Sequence, residues 1–212
     1  MKNDILPITE SRKSAYIFLS KIYAKEVSVE FLKSIIESKL LEEFTKDLDS
    51  SHLEEIQVEL AADYASLFLS AGKMPAHPFE SVYTSKKKLL MQEAWDEVVA
   101  EYRKEGLDKT KEFNEPEDHI AIELEFMSYL CQKTIDSLNK SDSASTSMYL
   151  EKQISFLEKH LMNWVPTFCS DIEKYAKSEF YRLVAKLTLD FLETDLEELK
   201  ELVSSETNEG NQ

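Results

Sequence analysis

Residues 114–119 concentrate charged and titratable side chains immediately before a long apolar segment. They read Asn-Glu-Pro-Glu-Asp-His, so six residues supply three carboxylates and one of the chain's four histidines. Carboxylates at this density pair well with the guanidinium groups of a cationic ligand. A histidine beside carboxylates also suits a metal site or a hydrolytic site. Both chemistries are therefore open at this segment.

A metal or hydrolytic site would draw on His77, His119 and Glu123. His119 and Glu123 are four residues apart and share one face of a helix, but no two histidines have the spacing of a ligand pair. Ser81 lacks the flanking glycines of a nucleophile elbow. With three glycines in the whole chain, no glycine-rich phosphate loop is present. The sequence predicts no enzyme and no cofactor. A metal-binding or hydrolytic helical protein that uses His119 and nearby carboxylates is the alternative.

Composition favours an all-α protein and is compatible with a cationic partner. The 212 residues are 42% hydrophobic and 31% charged, and they include three glycines and five prolines, too few for the turns of many strands. The net charge of −16 would repel nucleic acid and anionic membrane surfaces. It favours a basic peptide as a partner, although acidity also simply keeps a protein soluble.

The chain carries no recognisable targeting or membrane signal. Residues 1–10 lack the apolar core and cleavage pattern of a signal peptide. No window approaches the ~20 apolar residues that span a bilayer. Cys131 and Cys169 stand alone in apolar helical contexts, as free thiols of a reducing compartment do. We expect a cytoplasmic protein without stable membrane insertion.

Apolar residues recur with a spacing near 3.6 throughout, which predicts a single helical domain over residues 1–203. The predicted helices are one after a cap at Thr9 or Ser11, then residues 29–38, 40–48, 53–68 with Gly72 as the cap, 95–105 closed by Gly106, 114–131, 148–164, 168–175 and a long last helix from Phe180. Pro166 is expected to interrupt the helix of residues 148–164 or to restart it.

The helix that follows residue 114 has a strong start signal. Asn114 can act as the N-cap, Glu117 can complete a capping box, and Pro116 fits a first helical turn. Two faces of this helix are apolar, one with Leu124 and one with Phe126, which is typical of a helix central to the core.

Three segments are predicted to lie outside helices. Residues 73–81 should form a loop, because Pro75 and Pro78 exclude helix. Residues 138–147 are rich in serine and should form a flexible hinge. Residues 204–212 should be a disordered tail. The basic run of residues 86–88 is predicted to be a solvated face, with contact to a partner protein as the alternative.

Several blocks of the sequence recur in order in a known family. The most specific are residues 114–119 and residues 78–83 (Pro-Phe-Glu-Ser-Val-Tyr). Weaker blocks are residues 64–68, 102–106, 160–164 and 180–192. Together these blocks, over roughly residues 16–192, resemble the TorD/DmsD family of redox-enzyme maturation chaperones.

The resemblance implies an all-helical cytoplasmic chaperone. Members bind the twin-arginine signal peptide of a molybdenum-cofactor oxidoreductase, often a dimethyl sulfoxide or trimethylamine N-oxide reductase. They hold the apoenzyme while its cofactor is inserted and delay its export until it has folded. Some members form domain-swapped homodimers, so both a monomer and a swapped dimer are open. Guanine nucleotide binding is implied by family analogy alone.

A cationic and then apolar leader requires a groove with an apolar floor and an acidic mouth. The candidate floor residues are Tyr64, Leu67, Phe68, Phe79 and Tyr83. The candidate mouth residues are Glu80, Glu115, Glu117, Asp118 and Glu123. Pro78, Ser81, Pro116 and His119 complete the expected peptide-binding set.

This groove exists only if residues 78–83 lie beside residues 115–119. Matching aspartate and histidine positions are implicated in leader binding in the family, so substitution of Asp118 or His119 should weaken the peptide without unfolding the protein.

Three simpler interpretations stay open. Tyr64, Leu67 and Phe68 have the spacing of ordinary core residues. His119 could tie the start of its helix to the loop of residues 78–81 instead of contacting a ligand. The protein could also be an assembly factor that recognises a mature subunit instead of a leader.

Overall fold

Helices dominate the computed structural model, which describes residues 2–38, 41–46, 50–69, 75–109 and 114–209. In these ranges the α-helices are α1 (Lys2–Ala24), α2 (Val29–Ser38), α3 (Glu42–Thr45), α4 (Leu53–Tyr64), α5 (Glu80–Thr84), α6 (Glu93–Lys104), α7 (Ile120–Asn139), α8 (Ser143–Phe156), α9 (Met162–Tyr175) and α10 (Glu179–Glu209). Strand-like pairing in the described part is limited to one isolated bridge, between Phe79 and His119. The prediction of an all-α fold is confirmed.

The first helix begins earlier than its capping signals predict. It starts at Lys2 and runs through Pro7, instead of beginning after Thr9 or Ser11. The Thr9 hydroxyl donates to the carbonyl of Ile5 at 2.8 Å, so this side chain bonds within the helix and caps nothing. Helix α1 packs along α7, and burial of its apolar face outweighs the local signals.

The N-cap of helix α7 lies five residues after the predicted cap. His119 is the N-cap, and its Nδ1 accepts from the backbone N–H of Ala121 at 3.1 Å. Asn114 is exposed and lies outside the helix, so the predicted cap and capping box are wrong. His119 is extended instead, and the backbone of its neighbours Asp118 and Ile120 pairs with that of Glu80 and Pro78. A tertiary contact therefore fixes this boundary.

Two π-helical segments continue α-helices without a break. Ala65–Leu69 extends α4, and Leu157–Leu161 joins α8 to α9. Pro166 lies within α9 and does not interrupt it, contrary to the prediction. The irregular turn comes before the proline, in the π-helical segment. The predicted cap Gly72 lies outside the described residues.

The predicted hinge and tail are largely helical. Between α7 and α8 only residues 140–142 are non-helical, and Asp142 caps α8 by accepting from the N–H of Ser145 at 3.1 Å. The serines from 143 onward belong to α8, because a helix start accommodates serine and aspartate well. Helix α10 continues to Glu209, past residue 204, where the sequence predicts disorder.

The core lies between α1, α7 and the three C-terminal helices. Helix α1 packs on α7, α7 packs on α8, and α9 packs on α10. At the centre, Phe68 contacts the rings of Tyr23, Tyr64, Phe168 and Tyr181 at centroid distances of 5.0–6.1 Å. In the described part of the chain, no helix combines the length and apolar character needed to cross a membrane.

A buried ion pair ties the first helix to the last. Both oxygens of Asp195 on α10 accept from the guanidinium of Arg12 on α1, one from Nε and the other from Nη2 at 2.9 Å. The same guanidinium reaches Gln153 on α8 at 2.7 Å, and Tyr16 donates to Asp195 at 2.6 Å. One polar network therefore connects three helices inside the core.

Candidate functional site

The two segments that must meet to form a site are in direct contact. The backbone N–H of Glu80 donates to the carbonyl of Asp118 at 3.0 Å, and that of Ile120 donates to the carbonyl of Pro78 at 2.9 Å. Phe79 and His119 form the bridge between these bonds, and their rings meet edge to face at 5.1 Å. The start of α5 is thereby fixed to the start of α7.

Three carboxylates lie behind this pairing, inside the protein. Glu80, Asp118 and Glu123 each expose 1% of their surface or less. Asp118 accepts from the N–H of Ser81 at 2.9 Å, and Glu123 accepts from the indole N–H of Trp164 at 3.1 Å. The sequence predicted that these three residues belong to an acidic mouth. In the structure they are closed off from solvent and form no such mouth.

Glu80, the third carboxylate of this cluster, faces a histidine. Glu80 Oε2 and His160 Nδ1 are 3.0 Å apart, and both side chains are buried. His160 comes from the π-helical segment between α8 and α9. The cluster thus joins α5 and α7 to the C-terminal helices.

Burial controls the protonation of the cluster. Removal from water raises the pKa of Glu80, Asp118 and Glu123 above their ordinary values. The shift is largest at Glu123, where burial is reinforced by the negative charge of Glu80. A carboxyl in this setting is held protonated to higher pH than an exposed one, which spares the core an unpaired charge.

His119 is a structural residue in this geometry. Burial lowers its pKa to about 3, so the ring is neutral near pH 7. Its neutral Nδ1 can then accept the capping hydrogen bond from Ala121. The ring joins the helix start to the loop of residues 78–81, and a role of His119 in peptide binding stays a prediction.

Most of the predicted groove floor lies in the core. Tyr64, Leu67 and Phe68 expose 3% or less, and the hydroxyl of Tyr64 donates to the carbonyl of Tyr23 at 2.9 Å. Their regular spacing reflects packing in the central aromatic cluster. They form no exposed floor in this structure, and a role in peptide contact stays a prediction.

The other predicted residues divide by exposure. Pro78, Phe79 and Ser81 are buried, whereas Tyr83, Glu115 and Pro116 are half-buried. Tyr83 stacks on Trp164 at a centroid distance of 5.6 Å and donates to Asp171 at 3.0 Å.

An open cavity of about 360 Å³ lies next to the paired segments, between α1, α7 and the C-terminal end of α6. Its lining residues are Ser20, Ala24, Tyr102, Leu107, Asp108, Lys109, Glu117, Ala121, Ile122, Glu125, Phe126 and Tyr129. Of these, only Glu117 belongs to the site predicted from sequence. The second apolar face of α7, which includes Ile122 and Phe126, was the one signal in the sequence that points here.

Carboxylates border this cavity, which we call the α1–α7 cavity. Asp108 and Glu125 are exposed and Glu117 is half-buried, against the single ammonium of Lys109, which lies 3.6 Å from Glu117. The indole N–H of Trp95 donates to Glu117 at 2.6 Å and fixes that carboxylate. The cavity thus combines an apolar wall with excess negative charge at its edge.

Within the described ranges, no metal-binding geometry supports the alternative interpretation. Among the described residues, no three histidine, cysteine or acidic side chains are grouped so that they could hold a metal ion. His77 lies at a second cavity with Tyr83 and Asp171, while His119 is buried at the start of α7. The predicted set of His77, His119 and Glu123 is therefore not assembled.

Comparisons with known proteins give a consistent result. Residues 37–170 match the family described as nitrate reductase delta subunit. The chain is 30% identical to the chaperone protein TorD of Vibrio cholerae serotype O1 (El Tor Inaba) over 95% of this chain and 98% of that protein. It is 30% identical to TorD of Vibrio vulnificus, over 92% and 97% of the two chains.

The fold agrees with a solved relative. A crystal structure of a redox enzyme maturation protein from Archaeoglobus fulgidus superposes with a TM-score of 0.54 and 24% identity, covering 86% of this chain and 93% of that one. The relatives named TorD are chaperones, which is a non-enzymatic role. The chain therefore belongs to the nitrate reductase delta subunit family, together with the TorD chaperones that it resembles over nearly its whole length.

Proposed function

We propose that this protein is a cytoplasmic chaperone for the twin-arginine signal peptide and the apo form of a molybdenum-cofactor oxidoreductase of the dimethyl sulfoxide or trimethylamine N-oxide reductase type. It holds the client while its cofactor is inserted and delays export until the client has folded. The TorD relatives support the chaperone role, and the chemistry of the α1–α7 cavity supports the choice of a cationic and apolar peptide.

The α1–α7 cavity is the observation that carries this proposal. Its volume of about 360 Å³ accommodates a few side chains of a bound segment and not a whole leader. Its apolar wall suits the apolar part of a leader, and its carboxylates suit arginine, which pairs with them bidentately. Glu117 and Glu125 are the two carboxylates on or beside α7 that we assign to this role.

The buried carboxylates have a different role in the proposal. Asp118 bonds the N–H of Ser81, and its carbonyl bonds the N–H of Glu80. It therefore positions the paired segments, and these segments present the half-buried Glu115, Pro116 and Glu117 beside the cavity. Substitution of Asp118 or His119 should accordingly destabilise the fold, in contrast to the expectation from sequence.

A synthetic twin-arginine peptide tests the proposal directly by isothermal titration calorimetry. The wild-type protein should bind it with one site per chain, and in stopped-flow mixing the association rate should fall as salt rises. The double variant Glu117→Gln/Glu125→Gln should bind about tenfold or more weakly, because two charge-assisted pairs are lost. The glutamine at 117 can still accept from Trp95, so the fold is kept.

A matched control removes the same charge elsewhere. Glu54 and Glu151 are exposed and lie on α4 and α8, so Glu54→Gln/Glu151→Gln should bind the peptide like the wild type. Equal weakening in both double variants would assign the effect to net charge. Absence of any binding to the wild type would refute the leader-binding role, and unchanged binding to a client without its leader would favour recognition of the mature subunit.

A further inference from the structure

The loop between α5 and α6 exposes an unusual run of side chains. Residues 86–91 read Lys-Lys-Lys-Leu-Leu-Met, and we call them the 86–91 loop. Leu89, Leu90 and Met91 expose 53%, 45% and 53% of their surface. In the described part of the chain, no other large hydrophobic residues this exposed are consecutive. Three adjacent exposed apolar side chains are unfavourable unless a partner covers them.

The loop is held in a defined conformation. Lys88 and Met91 have φ values of 51° and 55°, which are uncommon for residues other than glycine. The N–H of Lys88 donates to the carbonyl of Ser85 at 3.2 Å, and the side chain of Gln92 bonds the carbonyls of Leu90 and Met91 at 3.0 and 3.2 Å. These bonds fix a backbone that directs apolar side chains towards solvent.

We propose that the 86–91 loop binds the α1–α7 cavity of a second copy of this chain. Three lysines followed by three apolar residues complement a cavity with an apolar wall and carboxylates at Asp108, Glu117 and Glu125. The whole chain has a net charge of −16, so a second copy offers this basic loop an excess of carboxylates. The segment predicted from sequence to be merely solvated thus becomes an interface.

In its own chain the loop lines no part of the cavity, and its apolar side chains are about half exposed. One residue, Gln92, connects it to α6, whose 12 residues span about 18 Å. The cavity is lined by Leu107, Asp108 and Lys109, just beyond the other end of that helix. This end of the cavity lies a helix length from the loop of its own chain, and a second chain can bring its loop there. When each loop occupies the cavity of the other chain, the contact closes as a two-fold dimer.

The regulatory consequence rests on the proposed function. The loop presents the same order of chemistry as a twin-arginine leader, with cationic residues first and apolar residues after them. It therefore competes with the leader for the cavity, and the dimer is a closed form from which the leader releases a monomer.

Analytical ultracentrifugation of the full chain, without any peptide, tests the interface. The wild type should associate as its concentration rises. Lys86→Glu/Lys87→Glu/Lys88→Glu and, separately, Leu89→Ser/Leu90→Ser/Met91→Ser should each weaken association about tenfold or more. The control Lys33→Glu/Lys46→Glu/Lys186→Glu makes the same change in net charge at exposed sites and should associate within a few-fold of the wild type.

Disulfide formation between copies tests the register of the contact. A Leu90→Cys chain mixed with an Ile122→Cys chain should form a crosslinked heterodimer, because the native Cys131 and Cys169 are buried and do not compete. Leu90→Cys mixed with Val58→Cys, which is exposed elsewhere, should crosslink far less. Equal crosslinking of the two mixtures would overturn the proposed contact.

Two further outcomes separate this inference from the proposed function. A wild type that stays monomeric at its highest soluble concentration, while still binding the leader, overturns the loop interface and leaves the chaperone role intact. Loop-dependent dimers that bind no leader would support the loop interface and refute the leader-binding site. Loop-dependent sedimentation of a monomeric protein with phosphatidylglycerol vesicles would assign the loop to a membrane surface and overturn the interface.

Discussion

At the scale of single residues, burial decides which acidic groups position the site and which can meet a ligand. Glu123 and Asp118 are inside the protein and hold α7 against α9 and α5. Glu117 and Glu125 lie one turn or less away, yet they border an open cavity. The sequence places all four in one acidic cluster, because side-chain type and spacing do not report depth.

Glu123→Gln should stabilise the protein increasingly as pH rises. Above the ordinary pKa of 4.5 the unfolded state loses the Glu123 proton while the folded state keeps it, so the wild type loses stability with rising pH. Glutamine does not titrate and can still accept from Trp164. The difference in unfolding free energy should therefore grow by up to about 1.4 kcal/mol per pH unit above pH 4.5.

Urea denaturation of both proteins across this pH range measures the difference, and contributions from His119 cancel because both contain it. The exposed control Glu151→Gln should follow the wild type at every pH. A constant offset between Glu123→Gln and the wild type would contradict a raised pKa at this residue.

At the scale of elements, several boundaries are fixed by distant residues. Helix α7 starts where its backbone stops pairing with residues 78–80. The start of α10 is capped by a carboxylate from α4. Asp63 on α4 accepts from the N–H of Lys177 at 3.1 Å and from that of Ser178 at 2.8 Å. Helix starts leave unpaired N–H groups that such a carboxylate satisfies.

Asp63→Ala should destabilise the protein by about 1–3 kcal/mol, because two half-buried N–H groups at the start of α10 lose a charged acceptor. Chemical denaturation followed by circular dichroism measures the loss. Asp190→Ala on the exposed face of α10 is the matched control and should change stability by less than about 0.5 kcal/mol. Similar effects of the two substitutions would show that Asp63 is not a cap.

At the scale of the whole molecule, the Arg12–Asp195 network closes the fold by joining its two ends. The pair is buried and links α1, α8 and α10. A domain-swapped dimer, which the serine-rich connection was expected to permit, would have to exchange this pair between chains. Opening the fold therefore separates two buried charges, which is costly.

Asp195→Asn should destabilise the protein by about 3–5 kcal/mol, because the Arg12 guanidinium is left buried without a counter-charge. The double variant Arg12→Met/Asp195→Leu should cost much less than the sum of its two single variants, since no charge remains buried. A double-mutant cycle of unfolding free energies measures this coupling. Additive costs would show that the two side chains do not depend on each other.

The sequence by itself determined the class of fold, most helix interiors and the family. These follow from apolar periodicity and from motifs such as residues 78–83 and 114–119, which are local in the chain. Gly106 was also correctly placed at the end of α6, since its φ of 72° meets a local requirement that glycine satisfies best.

Only the tertiary structure decided where α7 begins, which carboxylates are buried and where the open cavity lies. Each depends on contacts between residues far apart in sequence, such as Pro78 with Ile120 or Ser20 and Glu117 at one cavity. Helical periodicity identifies an apolar face but not whether another helix covers it. For that reason most of the predicted groove floor lies in the core, and the cavity that the proposals use was found only in three dimensions.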